Sequence, residues 1–321
     1  MENLRYDPEF WQVFEPMAGY PVPTFDDPVA ARTATEKTLG ELFKQVPRPA
    51  GVAETSYEVE SLDGFKIPVT RFVPSALKDV TKPQRAVIYL HGGWMVMGSV
   101  ELFKPLVLNY AHNYNIQIFG VDYRLGPEDP APAGVEDTYA VVKWLQNRAD
   151  EFNIDPARIA LFGASAGGGV AVGASLFARD KGLSPPLARL VIIYPMLDDR
   201  TSLDPENVLT KYVGPSDSLN KLGWKAYLGG RERDERDDVS IYMSPGRAEN
   251  LEGLPPTYVD IGGFDLFASE CVEFVRKLTA ANNSVEFHLY PGVPHGWEGI
   301  APLIRASKQA AENRKRVLGD F

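Results

Sequence analysis

Ser165, Asp265 and His295 are the residues whose types and settings in this chain suit covalent chemistry. Ser165 stands at the centre of Gly163-Ala164-Ser165-Ala166-Gly167, a G-x-S-x-G pattern that follows the apolar run Ile159 to Phe162. Small flanking residues let the backbone pass through a strained strand-to-helix turn, which pushes the serine oxygen into the open. Gly167, Gly168 and Gly169, then Val170, Ala171 and Ala174, let the following helix start close against the strand. The positive end of its dipole then lies beneath the serine. The same pattern suits an ordinary Gly-rich turn or a phosphate-cradling loop, so its meaning depends on partners elsewhere in the chain.

A serine hydroxyl is a weak nucleophile at neutral pH and needs a general base, normally a histidine held in one tautomer by a carboxylate. Four histidines are available. His112 falls within an expected helix and His288 within an expected strand, where a single histidine is usually exposed or locally satisfied. His91 belongs to the segment His91-Gly92-Gly93. His295 sits in Gly292-Val293-Pro294-His295-Gly296-Trp297, a loop after a strand, where it can reach a site at the C-terminal edge of a sheet. Asp265 follows Gly262-Gly263 at the end of another strand and is the preferred acid. Asp260, two residues before the glycines and inside the strand pattern, is the rival and suits a structural or capping role. The order Ser165, Asp265, His295 is that of the α/β-hydrolases. An oxyanion hole completes such a site. Gly92 and Gly93 past the end of a strand, with the N–H of Ala166 after the serine, can supply its donors, the alternative being a plain strand-ending turn.

The elements that must position these residues alternate. A helical stretch from Pro28 to Lys44, with Asp26 and Asp27 as caps, closes an N-terminal arm of residues 1 to about 50. TSYEVESL and FKIPVTRFV, joined around Asp63-Gly64, read as a hairpin. Strands are expected from Arg85, Ile116, Ile159, Leu190, Pro256 and Val285. Helices are expected over Phe103 to Tyr114, Pro132 to Phe152, Leu266 to Ala281 and Pro302 to Leu318. The apolar strands suit a mostly parallel sheet covered on both faces. Between about 197 and 254 the rhythm breaks into a polar, turn-rich insertion, weakly helical over Leu219 to Leu228. Its mixed charges from Arg231 to Asp238 read as a solvated loop face.

A 321-residue chain that is 44% hydrophobic and 24% charged has ample material for one large α/β core with a cap. Its net charge of −10 and the absence of a basic patch exclude nucleic acid as a partner. A single cysteine, Cys271, excludes an internal disulfide and a cysteine-based metal site, and reads as a small buried residue. The acidic, aromatic start of the chain is unlike a secretory signal, so a cytoplasmic location is expected. No apolar run approaches the roughly 18 residues that span a bilayer.

The chain resembles the hormone-sensitive-lipase-like branch of the α/β-hydrolase esterases over nearly its whole length. The likeness rests on HGGWMVMGS (His91 to Ser99), DYRLGPEDPAPA (Asp122 to Ala133), GASAGG (Gly163 to Gly168), YPMLD (Tyr194 to Asp198), GLPPTYVDIGGFDLFASE (Gly253 to Glu270) and YPGVPHGW (Tyr290 to Trp297). It implies Ser165 as nucleophile, Asp265 as acid, His295 as base, and Gly92, Gly93 and Ala166 as oxyanion donors. It also implies that the arm and the 197–254 insertion cap the site, and that a homodimer forms through an edge strand. The chain departs from the family pattern in three places. Trp94 replaces a third glycine, which narrows the pocket or shifts the loop. Ala164 replaces an aspartate before the nucleophile, and Gly126 and Asp129 replace the commoner alanine and histidine, while Arg124 and Glu128 remain to hold that loop.

The expected activity is hydrolysis of small or short-acyl carboxylic esters through an acyl-enzyme, with no metal or organic cofactor, and a lactone or polyketide-like ester falls within the same chemistry. Amide or peptide hydrolysis by the same triad is the alternative, and a ligand-binding protein on a hydrolase scaffold is a third reading. A dinucleotide-binding loop is excluded because Ser165 occupies a position that G-x-G-x-x-G reserves for glycine.

Overall fold

The computed structural model describes residues 4–19, 23–204, 206–213, 216–232 and 237–321. Of the charged run from Arg231 to Asp238, residues 233–236 lie outside the described residues. Helices α1 (Pro8–Phe14) and α2 (Pro28–Phe43) form the arm. Asp7 and Asp27 accept from the N–H groups of the first turns, and a proline follows each at the first helical position. The hairpin β1 (Val52–Glu60) and β2 (Lys66–Pro74) follows, its strands paired antiparallel from Val52↔Pro74 to Glu60↔Lys66. Next come β3 (Gln84–Leu90), α3 (Val100–Tyr114), β4 (Gln117–Val121), α4 (Ala133–Asn147), β5 (Ile154–Ala164), α5 (Ala166–Asp180) and β6 (Arg189–Ile193). The insertion holds α6 (Ser216–Tyr227). The chain then closes with β7 (Thr257–Phe264), α7 (Ala268–Ala280), β8 (Val285–Pro294), the single turn α8 (Trp297–Ile300) and α9 (Arg305–Gly319).

The strands form one 8-stranded sheet in the order β1-β2-β4-β3-β5-β6-β7-β8. β1, β2 and β4 pair antiparallel, and from β4 onward every pairing is parallel. Side chains alternate across each buried strand with period two. Ala86, Ile88 and Leu90 of β3 and Ile159 and Leu161 of β5 pack under α4, α5 and α7. Val87 and Tyr89 of β3 and Ala160 and Phe162 of β5 pack under α3 and α9. Ile88 and Phe162 are fully buried, so truncating either to alanine costs about 2–5 kcal/mol.

Differences from the sequence expectations lie mainly at element ends. Ser99 caps α3, accepting from Leu102 N–H at 3.1 Å, so the helix starts three residues earlier and carries Pro105 in its second turn. Strand β5 begins at Ile154 and α4 stops at Asn147. Helix α1 lies in the part of the arm before Pro28, for which no separate helix was expected, and its Phe10 is fully buried and packs with Tyr290, Val293 and Trp297.

The buried Asp137 carboxylate accepts from the Nη2 of Arg124 at 2.8 Å and from Ser61 Oγ at 2.5 Å, and Arg124 reaches on to Asp63 at 2.6 Å. Burial lets this cluster clamp the 122–133 loop against the hairpin; removing one partner of such a buried pair costs about 3–5 kcal/mol.

Candidate active site

Five adjacent parallel strands deliver the chemistry to one edge of the sheet. Past their C-terminal ends lie His91 to Gly93 after β3, Ser165 after β5, Tyr194 after β6, Asp265 after β7 and His295 after β8. The register places Leu90 beside Gly163, Ala164 beside Ile193, and Phe264 beside Pro294, so the five loops emerge side by side.

Ser165 is held at φ 55°, ψ −119°, a conformation that L-residues rarely adopt. Its N–H donates to Ile193 O at 2.9 Å, and its own carbonyl accepts from Gly168 at 2.9 Å and Met196 at 3.0 Å, so main-chain bonds on both sides fix the strained turn. Gly167 is required by close approach: a Cβ there would lie 2.2 Å from Leu90 O.

His295 Nε2 lies 3.0 Å from Ser165 Oγ, and its Nδ1 lies 2.7 Å from Asp265 Oδ2. The carboxylate fixes the tautomer: Nδ1–H donates to Asp265, leaving Nε2 to accept from the serine hydroxyl. Asp265 is buried and its second oxygen accepts from Phe267 N–H at 3.0 Å, which sets its orientation. Burial pushes the His295 pKa down, but the Asp265 carboxylate more than reverses this and holds it above the ordinary 6.5, with Glu298 adding to the rise. The structure brings together the three residues singled out in the sequence.

Gly92 packs against the serine, since a Cβ there would sit 3.2 Å from Ser165 Cβ. Among the described residues the N–H groups of Gly92, Gly93 and Ala166 have no hydrogen-bond acceptor. The turn is closed by Val96 and Met97, both donating to Gly93 O. Trp94 follows at φ 55° and lays its ring over His295, with centroids 5.9 Å apart, and against Phe267 at 5.7 Å.

The other candidates have structural places. Asp260 is fully buried and bound twice by Arg314, at 2.7 and 2.8 Å, with Tyr258 Oη donating at 2.8 Å. His91 is buried, stacked on Tyr123 with its Nδ1 2.9 Å from Gly92 O. His112 is exposed, and His288 pairs with Glu286 at 2.7 Å. Cys271 is buried in α7.

A cavity of about 360 Å³ opens onto Ser165. Thr35, Leu39, Leu42 and Phe43 of α2 form one wall and Phe103, Leu106 and Tyr110 of α3 another, with Trp94, Ala164 and Tyr194 also lining the space. No described residue of 197–254 lines it. Instead α6 backs α2 and the Gly93 to Gly98 loop, Ala226 and Leu222 packing with Ala31, Val96 and Trp94. Gly223 permits this contact, as a Cβ would lie 2.3 Å from Trp94 O.

Tyr194, Glu298 and Arg314 escaped the sequence reading. The Tyr194 ring meets His295 edge-on at 4.6 Å, its hydroxyl donates to Glu298 Oε1 at 3.0 Å, and Arg314 Nη1 donates to the same oxygen at 2.7 Å. Burial raises the Tyr194 pKa well above 10, so it stays a neutral donor. Only the position of Glu298 three residues past His295 hinted at a place near the site.

A family model described as alpha/beta hydrolase fold matches residues 87–299. The chain belongs to the hormone-sensitive-lipase-like branch of the α/β-hydrolase esterases. It is 32% identical over 246 residues to carboxylesterase NlhH of Mycobacterium tuberculosis, covering 76% of this chain and 75% of that one. Among solved structures, a bacterial heroin esterase superposes with a TM-score of 0.86 at 31% identity, covering 98% of this chain and 97% of that one. A hyperthermophilic esterase from Pyrobaculum calidifontis superposes at 0.84 with 27% identity, covering 98% of each. The esterase is thus a carboxylic ester hydrolase of the serine type. No helix among the described residues is long and apolar enough to cross a membrane.

Proposed function

We propose that this esterase hydrolyses compact, short-acyl carboxylic esters with Ser165 as nucleophile, His295 as base and Asp265 as its orienting acid. The observation that carries the assignment is the continuous chain Ser165 Oγ, His295 Nε2, His295 Nδ1, Asp265 Oδ2, with links of 3.0 and 2.7 Å. Ser165 Oγ attacks the ester carbonyl as His295 takes its proton, and the carbonyl oxygen becomes an oxyanion facing the N–H groups of Gly92, Gly93 and Ala166. Each such donor is worth roughly 3–4 kcal/mol in the transition state. Collapse expels the alcohol, protonated by His295, and leaves an acyl-enzyme. Water activated by the same histidine attacks it, and the acid leaves with Ser165 regenerated.

The size of the cavity supports the short-acyl part of the reading. A volume of about 360 Å³ is at the small end for ligand pockets. Leu39, Leu42 and Phe43 from α2 form one of its walls, while Trp94 stands over the base. The arm helix is the roof of this site and the insertion its outer support. The test is steady-state hydrolysis of 4-nitrophenyl esters of increasing acyl length, with Ser165→Ala as control. Turnover of acetate to butyrate that collapses for long chains and disappears in Ser165→Ala is expected. Turnover that survives in the variant would remove Ser165 from the mechanism, and a preference for long chains would remove the size argument.

A further inference from the structure

His295 is tied at both ring nitrogens, with Nε2 3.0 Å from Ser165 Oγ and Nδ1 2.7 Å from Asp265 Oδ2. Bonds at two points of a planar ring fix a line and leave the ring free to pivot about it. Packing against the ring must stop the pivot. Among the described residues three aromatic rings supply that packing, with centroids at 5.9 Å for Trp94, 5.5 Å for Phe267 and 4.6 Å for Tyr194. Tyr194 is the nearest, and its interplanar angle of 61° to the imidazole is an edge-on contact.

The Tyr194 ring is itself held from several sides. Its hydroxyl donates to Glu298 Oε1 at 3.0 Å, and Arg314 Nη1 donates to the same oxygen at 2.7 Å. The Arg314 guanidinium also lies 5.8 Å from the centre of the Tyr194 ring, and its Nε and Nη2 are anchored on the Asp260 carboxylate at 2.7 and 2.8 Å. Asp260 closes the circuit, because its main-chain carbonyl accepts the Tyr194 N–H at 2.6 Å. Tyr194 stands at φ 37°, where a bulky non-glycine residue is seldom found. Such strain persists only where the surroundings over-determine it. The neighbours of Tyr194 reach the nucleophile: Ile193 O accepts from Ser165 N–H at 2.9 Å, and Met196 N–H donates to Ser165 O at 3.0 Å. The segment from Ile193 to Met196 therefore touches the main chain of Ser165 and the ring of His295 together.

We propose that Tyr194 is a positioning residue for the base: its ring, locked by Glu298, Arg314 and Asp260, stops the His295 imidazole from pivoting and keeps Nε2 on Ser165. This rests on the hydrolytic mechanism above, in which His295 takes the serine proton. Tyr194 transfers no proton. Its effect falls on acylation and deacylation alike, since both need an aligned imidazole.

Two variants assayed with 4-nitrophenyl acetate separate the ring from its anchor. Tyr194→Leu removes the ring and should lower kcat about a hundredfold with KM within about threefold of wild type, as expected for lost alignment. Tyr194→Phe keeps the ring and loses only the bond to Glu298, so its kcat should recover to between about a third and a tenth of wild type. A loss carried by KM alone would make Tyr194 a cavity wall and overturn the proposal. Unchanged kcat in Tyr194→Phe would overturn it too, and that result stands even where Tyr194→Leu does not fold. A spectroscopic reading needs no turnover: the Nδ1–H of His295, bonded to Asp265, gives a low-field proton resonance, identified by its absence from His295→Ala. It should persist in Tyr194→Phe and broaden away in Tyr194→Leu, and an equally sharp signal in folded Tyr194→Leu overturns the proposal. Wild-type protein inert toward the acetate, with the resonance lost in Tyr194→Leu, would sink the hydrolytic mechanism and keep the placement of His295 by Tyr194.

Discussion

Glu36 Oε1 accepts the main-chain N–H of Gly98 at 2.8 Å, so the arm helix that walls the cavity also holds the loop proposed to carry the oxyanion donors. One turn earlier on the same helix, Arg32 donates to Val96 O at 2.5 Å and to Gly126 O at 2.8 Å, and grips Glu128 with both terminal nitrogens. The loop from Gly93 to Gly98 is thereby tied to α2 at two points. One element thus both walls the cavity and holds this loop.

Glu36→Ala should therefore lower kcat by about tenfold or more with little change in KM, since an oxyanion donor displaced by a fraction of an ångström loses strength only in the transition state. Glu36→Gln keeps an acceptor for Gly98 and should restore most of the loss. A rise in KM with kcat intact would mean that α2 acts as a wall and nothing more.

Asp265→Asn leaves the shape of the site and removes the charge that orients His295. A fall in kcat of roughly 10⁴-fold is expected. The pH profile gives a second reading. Burial depresses the His295 pKa, and the Asp265 carboxylate overcomes this to hold it above 6.5. A protonated imidazole cannot take the serine proton, so kcat/KM should decline as pH falls through a midpoint above 6.5. In Asp265→Asn the residual activity should show that midpoint moved down. An acid limb that stays in place would mean that another group controls it.

Trp94 has two effects that pull in opposite directions. Its ring fills space beside Ser165 and also rests on His295. Trp94→Gly should raise the longest acyl chain accepted, because volume opens in the cavity. It should also cut kcat for acetate by about tenfold, because the imidazole loses a packing partner that restrains it. The glycine itself suits the positive φ of 55° at this position, so the loop should keep its path. Unchanged chain-length preference in the variant would show that α2 and α3, and not this ring, limit the pocket.

The parts of the site legible in the sequence were those fixed by local rules. Ser165 needs small neighbours at a strained turn, and Asp265 and His295 follow strands, so pattern and order pointed to them. Asp260, set aside as structural or capping, pairs with Arg314 and not with a helix end. Glu298, Tyr194 and Arg314 were illegible because each owes its place to a partner far along the chain: Arg314 on the last helix meets Asp260 54 residues earlier. Likewise, nothing local in Arg32 or Glu36 announces a loop more than 60 residues away. The role of the insertion was also hidden, since weak helical patterning over Leu219 to Leu228 does not say that α6 packs behind Trp94 and leaves the cavity to α2.

His91 ties the pH dependence of stability to the same loop. Its ring is buried between Tyr123, at 4.6 Å, and Phe103, at 5.7 Å, and desolvation lowers its pKa from 6.5 to about 4, only partly opposed by its bond to Gly92 O. The folded protein thus keeps this histidine neutral at pH values where the unfolded chain protonates it. Above about 6.5 neither state carries the extra proton and His91 adds no pH dependence. Below it the unfolded state binds the proton first, so stability declines as pH falls toward 4. For this one group the loss between pH 7 and pH 5 is about 2 kcal/mol. Urea unfolding of the wild type and His91→Gln at both pH values measures it, since other titrating groups cancel in the difference. The wild type should lose about 2 kcal/mol more than the variant on acidification. Parallel losses in the two proteins would mean that the ring takes up its proton in the folded state, and that the loop bearing Gly92 and Gly93 opens to let it.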